Sequence, residues 1–223
     1  MYNNEIRRNE HLEGLISVII DEIQTNHIEW PKRNDVRYTT FTRIQNTLRN
    51  CRLSMINLVC ILNDKILEIM PADQIEDRLN EYDKYLRFSY FQHMISQMEC
   101  GIRVIMRHID HTKYYSKKEP FNNIYKFICV FLHFTKHDDF FKLIRFIRNS
   151  IHNNGLHFPD NNRSEEIEYR GKRILFENEK PVTFASWINL YDITEDIISV
   201  FKEIFETKPI AQENLIIDPV PKN

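Results

Sequence analysis

Apolar residues recur at three- and four-residue spacing in six stretches of this chain, the signature of amphipathic helices. In residues 5–28 the stripe is Leu12, Leu15, Ile16, Ile19, Ile20 and Ile23, and Pro31 ends it. Residues 40–70 carry Phe41, Ile44, Leu48, Leu53, Ile56, Val59, Leu62, Ile66 and Ile69. That length leaves room for a break near Arg52. Residues 74–110 form the third stretch, with Leu79, Tyr82, Leu86, Tyr90, Met94, Met98, Ile102 and Ile105 on one face and Asp73 placed to cap it. Met94, Met98 and Met106 read as gap-fillers of a core.

Residues 111–119 are polar and basic, with two tyrosines, and predict an exposed loop. Basic residues interleaved with aromatics also suit stacking on single-stranded nucleic acid. Pro120 then opens an apolar helix over 121–134, and residues 135–137 make a turn. Asp138 and Asp139 favour the start of a helix over 138–153, through capping and the helix dipole. Asn154-Gly155 ends it, glycine being able to take a positive φ.

After Gly155 the period drops to two. Ile167 and Tyr169 alternate with polar residues, Gly171-Lys172 turns the chain, and Ile174 with Phe176 and Val182 with Phe184 repeat the alternation. Two or three short strands follow. A closing helix over 186–206 carries Trp187, Leu190, Tyr191, Ile197, Ile198, Phe201 and Phe205. Lys208-Pro209 ends it, leaving a loosely held tail. The fold class is mainly α: a helical bundle of about six helices with a small β-hairpin near residues 166–184. One domain over 1–223 is expected. If there are two parts, the seam is the polar loop, with 1–113 before it and a second helical part over 118–207.

Composition narrows the function. The chain has 223 residues, a size that buries a real core, and a net charge of −2, less basic than duplex-binding proteins usually are. Any nucleic-acid contact must therefore come from a local patch. Four glycines leave little for phosphate-cradling loops, and the Rossmann, P-loop, nucleophile-elbow and zincin motifs are absent. Cys51, Cys60, Cys100 and Cys129 lack metal-ligand spacing and read as small hydrophobes in a reducing compartment. The polar N-terminus lacks a signal-peptide core and no apolar run approaches a membrane span, so a cytoplasmic protein with no membrane partner is expected. No cofactor is implied.

Usable chemistry is concentrated between Arg145 and Gly155. On a helical wheel Phe140, Ile144, Ile147 and Ile151 fall in a core-facing sector about 60° wide. Phe141, Arg145, Arg148 and His152 share a second sector of about 60°, centred about 100° away, with Asn149 beyond it. Two guanidiniums and an imidazole on one edge repel unless an anion or carboxylate answers them. Arginine forks suit phosphate, and histidine moves protons near neutral pH. Such a pair can cleave RNA without metal: His152 takes the 2′-hydroxyl proton or protonates the leaving oxygen, Arg148 stabilises charge developing on phosphorus, and Asn149 orients phosphate or imidazole. The same residues also fit a structural role, with basic groups complementing the helix C-terminus and acids of a neighbouring helix pairing the arginines.

Arg148-Asn149-Ser150-Ile151-His152 resembles the signature of the HEPN superfamily, an arginine followed by a polar residue and, a few positions on, a histidine. Arg148 is followed by polar Asn149 but has three residues before His152; Arg145 has six and is followed by Phe146, so either can be the family arginine. The resemblance covers the helices around residues 120–206. It implies a helical bundle, often a homodimer, acting as a metal-independent endoribonuclease whose arginine and histidine come from two protomers. It further implies a toxin–antitoxin or antiphage defence setting with an antitoxin or defence partner protein. Other members only bind. The alternative function is thus a non-catalytic module whose Arg145/Arg148/His152 edge holds RNA phosphate or an acidic protein.

Two further groups have metal-like spacing. His108, Asp110 and His111 sit at a helix end without a fourth ligand, and His133 and His137 flank a turn beside Asp138 and Asp139. Ordinary helix-end and turn roles account for both.

Overall fold

A computed structural model describes residues 2–26, 34–63, 71–111, 120–153, 155–159 and 163–219. They form a mainly helical bundle with one two-stranded antiparallel sheet. The helices are α1 (Asn3–Asn26), α2 (Val36–Asn63), α3 (Ala72–Ile109), α4 (Phe121–Phe131), α5 (Asp138–His152), α6 (Trp187–Glu206) and α7 (Lys208–Ala211). The strands are β1 (Glu165–Tyr169) and β2 (Lys172–Phe176).

The core is organised on α6. Leu190, Ile193, Ile197, Ile198, Phe201 and Ile204 are all buried, so little of that helix's circumference faces water. Its start is fixed by Ser186, whose hydroxyl accepts the Asn189 N–H at 3.4 Å, the expected position for an N-cap. Helix α1 packs on α2 through Leu12, Ile16, Phe41, Ile44 and Leu48, all shut off from solvent. Helix α3 crosses both α2 and α6. At Gly101 a Cβ would stand 2.9 Å from the Phe201 ring and from the Thr40 hydroxyl, so glycine there allows three helices to approach closely. Truncating a ring such as Phe201 removes about 3–5 kcal/mol of packing.

The expected elements are present, with shifts that have local causes. Helix α2 runs through Arg52 without a break; Arg52 is held across to α1 by Glu13, at 2.8 Å. Pro71, not Asp73, occupies the N-cap of α3, and Asp73 lies in the first turn. Helix α4 stops at Phe131, short of residue 134, and His133 takes a φ of +58°. The turn over Thr135–His137 is a 3₁₀ helix. His137 is the N-cap of α5, so Asp138 and Asp139 serve its dipole from the first turn and do not cap. The loop expected at 111–119 lies outside the described residues from 112 on.

Arg170 and Gly171 both have positive φ, +47° and +71°, which gives the two-residue hairpin turn its fitting twist. Tyr169 pairs with Lys172 and Glu165 with Phe176. The third alternating segment does not join: Pro181 makes an isolated bridge to Leu156 and the chain runs on into the α6 cap. Asp192, Glu195 and Asp196 of α6 hold Arg170 at 3.2, 3.1 and 2.6 Å, so the hairpin turn is fastened to the central helix.

The segment after α6 is not a loose tail up to Asp218. Pro209 sits in the first turn of α7, where its missing N–H costs nothing. Ile210 and Ile216 are buried. Asp35, just before α2, caps it by accepting the Arg37 N–H at 2.9 Å and also accepts the Ile216 N–H at 3.1 Å. The fully buried Arg37 guanidinium meets both oxygens of Asp35, at 2.8 and 2.5 Å, and the carbonyls of Ile210 and Glu213, each at 2.9 Å. Asp218 pairs with Arg43 and Thr39. These charges are tolerated in the interior because their donors and acceptors are answered.

Candidate functional site

Helix α5 buries Phe140, Phe141, Leu143, Ile144, Phe146, Ile147 and Ser150. That core-facing surface is wider than the four-residue stripe of the sequence, because α3, α4 and the hairpin all close on it. Phe141 stacks on Tyr125 of α4 at 5.4 Å, and Phe146 meets Phe176 of β2 at 5.1 Å. What remains toward solvent is a strip carrying Asp138, Asp139 and Lys142 in the first turns and then Arg145, Arg148, Asn149 and His152. The helix closes with Gly155, φ +86°, whose N–H reaches the Ser150 carbonyl at 2.7 Å.

The two arginines leave this strip in different directions. Arg145 turns toward α4, its Nη1 donating to Asn122 Oδ1 at 3.2 Å, and lies 4.8 Å over the Phe146 ring. Its Nε is buried without a hydrogen-bond partner. Arg148 turns toward α3, its Nε 3.1 Å from Glu99 Oε2, and keeps 32% of its side chain exposed. Asn149 is half-buried and His152 exposed, and neither side chain makes a hydrogen bond among the described residues. The strip therefore offers one half-exposed, carboxylate-paired guanidinium a single turn from a free imidazole.

A neighbouring helix does supply an acid to one of the two arginines, as the structural alternative expects, but the sequence does not single out Glu99. Its Oε1 also takes Arg103 Nη2 at 2.6 Å, so one carboxylate serves two guanidiniums. The signal was present as an i, i+4 Glu-to-Arg pair on α3, but nothing in the sequence showed that α5 packs beside it. Glu99 also lines a cleft of about 300 Å³, with Cys100, Arg103 and Arg107 on its wall.

A second group missed by sequence is centred on His157. It is 2% exposed and neither ring nitrogen has a hydrogen-bond partner. Phe146 and Phe176 flank it at 5.2 and 5.3 Å, and Glu165 Oε2 stands 4.0 Å from Nε2. Burial pulls the imidazole below its ordinary value; the attraction of Glu165 works the other way and is outweighed, and Arg145 adds to the lowering. The aromatic surroundings therefore disfavour the charged ring. No local motif marks it, since its surroundings come from α5 and the hairpin.

The metal-like spacings resolve into ordinary pairs. His108 Nε2 meets Glu213 at 3.0 Å, and His137 Nε2 meets Glu203 at 3.0 Å. Burial opposes ionisation of Glu203, but the hydrogen bonds from His137 and Lys136 outweigh it and hold its carboxyl below the usual range. Among the described residues no group of three or more His, Cys, Asp or Glu could hold a metal ion. Cys51 and Cys129 are buried, their thiols pushed up to about 12 and about 11 by burial. No described helix is long and apolar enough to cross a membrane.

No protein-family model, curated protein or solved structure matches this chain.

Proposed function

We propose that the protein is a HEPN-like, metal-independent endoribonuclease whose working edge is the exposed strip of α5. The observation that carries this reading is the placement of a half-exposed Arg148 one helical turn before an exposed His152 that makes no hydrogen bond of its own. His152 as the neutral imidazole accepts the 2′-hydroxyl proton. The 2′-oxygen then bonds phosphorus as the bond from phosphorus to the 5′-oxygen breaks, and the leaving oxygen takes a proton from solvent. The products are a 2′,3′-cyclic phosphate and a 5′-hydroxyl end. Arg148 stabilises the charge gathering on the phosphoryl oxygens, and Asn149 orients the phosphate. Arg145, turned toward α4, supports the helix and adds positive potential.

A single strip on one helix is an incomplete pocket, which fits assembly of the site from two copies of the chain. A defence or toxin–antitoxin setting in the cytoplasm, with an antitoxin-type partner covering the strip, follows from the same resemblance. The test is RNA incubated with the protein in excess EDTA, with end-group analysis. Cyclic phosphate ends that vanish with His152→Ala support the reading. Cleavage with other end groups, or unchanged cleavage by His152→Ala, removes it.

The Glu99 carboxylate weighs against cleavage and keeps a second reading in view. It already answers Arg148, leaving less positive charge for a transition state. In that reading the edge is a non-catalytic module whose Arg145/Arg148/His152 strip binds RNA phosphate or an acidic protein only after displacing Glu99. That reading predicts RNA retention in a binding assay with intact RNA recovered.

A further inference from the structure

The cleft on α3 next to Glu99 is not used by the proposed cleavage step. Its wall carries Ser96, Cys100, Arg103 and Arg107, four residues at spacings of four, three and four, which puts them in one stripe of the helix. From Ser96 to Arg107 the helix rises about 16 Å. The cleft volume is about 300 Å³.

Positive charge is in excess along this stripe. Glu99 is divided between Arg103 at 2.6 Å and Arg148 at 3.1 Å. Arg43 reaches in from α2, with Nη1 3.5 Å from Cys100 Sγ, and is paired with Asp218. Arg107 has no carboxylate partner among the described residues, and its Nε is buried without a hydrogen bond. Among the described residues, four guanidiniums thus face the two carboxylates of these pairs, and the imbalance rests on Arg107. A half-buried guanidinium without a carboxylate partner on a cleft wall is suited to a phosphate oxygen, which answers its charge. Glu99 contacts both Arg103 and Arg148, so the α3 stripe and the α5 edge are contiguous.

We propose that the α3 cleft carrying Arg103 and Arg107 holds backbone phosphates of the RNA strand whose scissile bond lies at Arg148 and His152. The inference rests on the reading of the α5 edge as an RNA site. It makes the cleft a sequence-independent track: guanidiniums grip phosphates, and Ser96, exposed at one end, offers a neutral hydroxyl. The occupant is single-stranded, because one helix stripe about 16 Å long offers phosphate contacts to one strand only.

The experiment uses the full chain with His152→Ala in every arm, so that no cleavage disturbs the measurement. Binding of a short fluorescein-labelled oligouridylate is read by anisotropy over a range of salt. Arg107→Ala is expected to weaken binding about tenfold and to reduce the magnitude of the salt slope by about 1. Arg107→Lys is expected to keep the slope while losing part of the affinity. Thermal unfolding of each variant establishes that it is folded, and Arg107→Gln replaces the alanine variant if that one is not. Equal binding with and without Arg107 overturns the track and leaves the cleavage reading untouched. Competition by polyglutamate as strong as by unlabelled oligouridylate also overturns it, in favour of an acidic protein. If no arm binds the oligouridylate the track is wrong, and cleavage by the wild type in EDTA decides the function separately.

Discussion

Arg148 and Glu99 meet across the crossing of α5 and α3, Nε to Oε2 at 3.1 Å, and the other oxygen of that carboxylate takes Arg103 at 2.6 Å. Glu99 therefore holds the arginine in position and competes with any phosphate for it. As a partly exposed pair it stabilises the fold by about 1 kcal/mol or less. Glu99→Gln is expected to leave the unfolding midpoint nearly unchanged while tightening RNA binding several-fold and increasing the magnitude of the salt slope by about 1. Weaker binding by a folded Glu99→Gln would mean that Glu99 serves the site only by orienting its arginines.

The pair between Asp35 and Arg37 is of another kind. Both side chains are out of solvent, and together they tie the start of α2 to the segment after α6. Removing one charge leaves the other buried and unanswered. Asp35→Ala is expected to lower unfolding stability by about 3–5 kcal/mol, and the double change Asp35→Leu with Arg37→Met to recover much of it. Urea unfolding measures both; a loss below about 1 kcal/mol for Asp35→Ala would show that the clamp is not structural.

Much of this architecture could be read in the sequence, and the exceptions share one cause. The stripes of α1, α3 and α6 and the stop at Gly155 are local features, set by spacing and by one residue's backbone freedom. The hairpin was legible from Ile167, Tyr169 and Gly171, but Val182 and Phe184 alternate equally well and make no strand. Whether a strand pairs depends on what lies beside it. The same limit applies at the candidate site. The wheel placed Arg145 and Arg148 on one edge, yet they diverge to Asn122 and Glu99, because α4 and α3 flank the strip. Glu99, Arg107 and His157 gain their meaning only from contacts distant in sequence. The tail was read as loose because Pro209 interrupts the helical pattern. What holds that segment is Arg37, 173 positions from Ile210.

His157 gives the fold a pH dependence of definite sign. Burial lowers its folded value below the ordinary 6.5, whereas in the unfolded chain the ring takes up a proton near that value. Above about pH 7 both states carry a neutral ring and the group contributes nothing. As pH falls below 6.5 the unfolded state binds the proton first, and stability declines until the folded value is reached. Glu165 and Arg145 face the ring, and their opposing effects are included in that net lowering. His157→Leu, which sacrifices no hydrogen bond of the ring, is expected to flatten the fall in urea midpoint between pH 7 and pH 5. An identical decline in wild type and variant would show that the ring is solvated in solution.

RNA cleavage by the α5 edge is read most directly from the cleavage rate in excess EDTA for wild type, His152→Ala and Arg148→Ala at one protein concentration. Loss of a proton-transfer group costs about 100-fold or more. The predicted result is measurable cleavage by the wild type and a fall of that size in each folded variant. Equal rates in all three proteins, or intact RNA with all three at high protein concentration, would mean that the α5 edge is not a nuclease site.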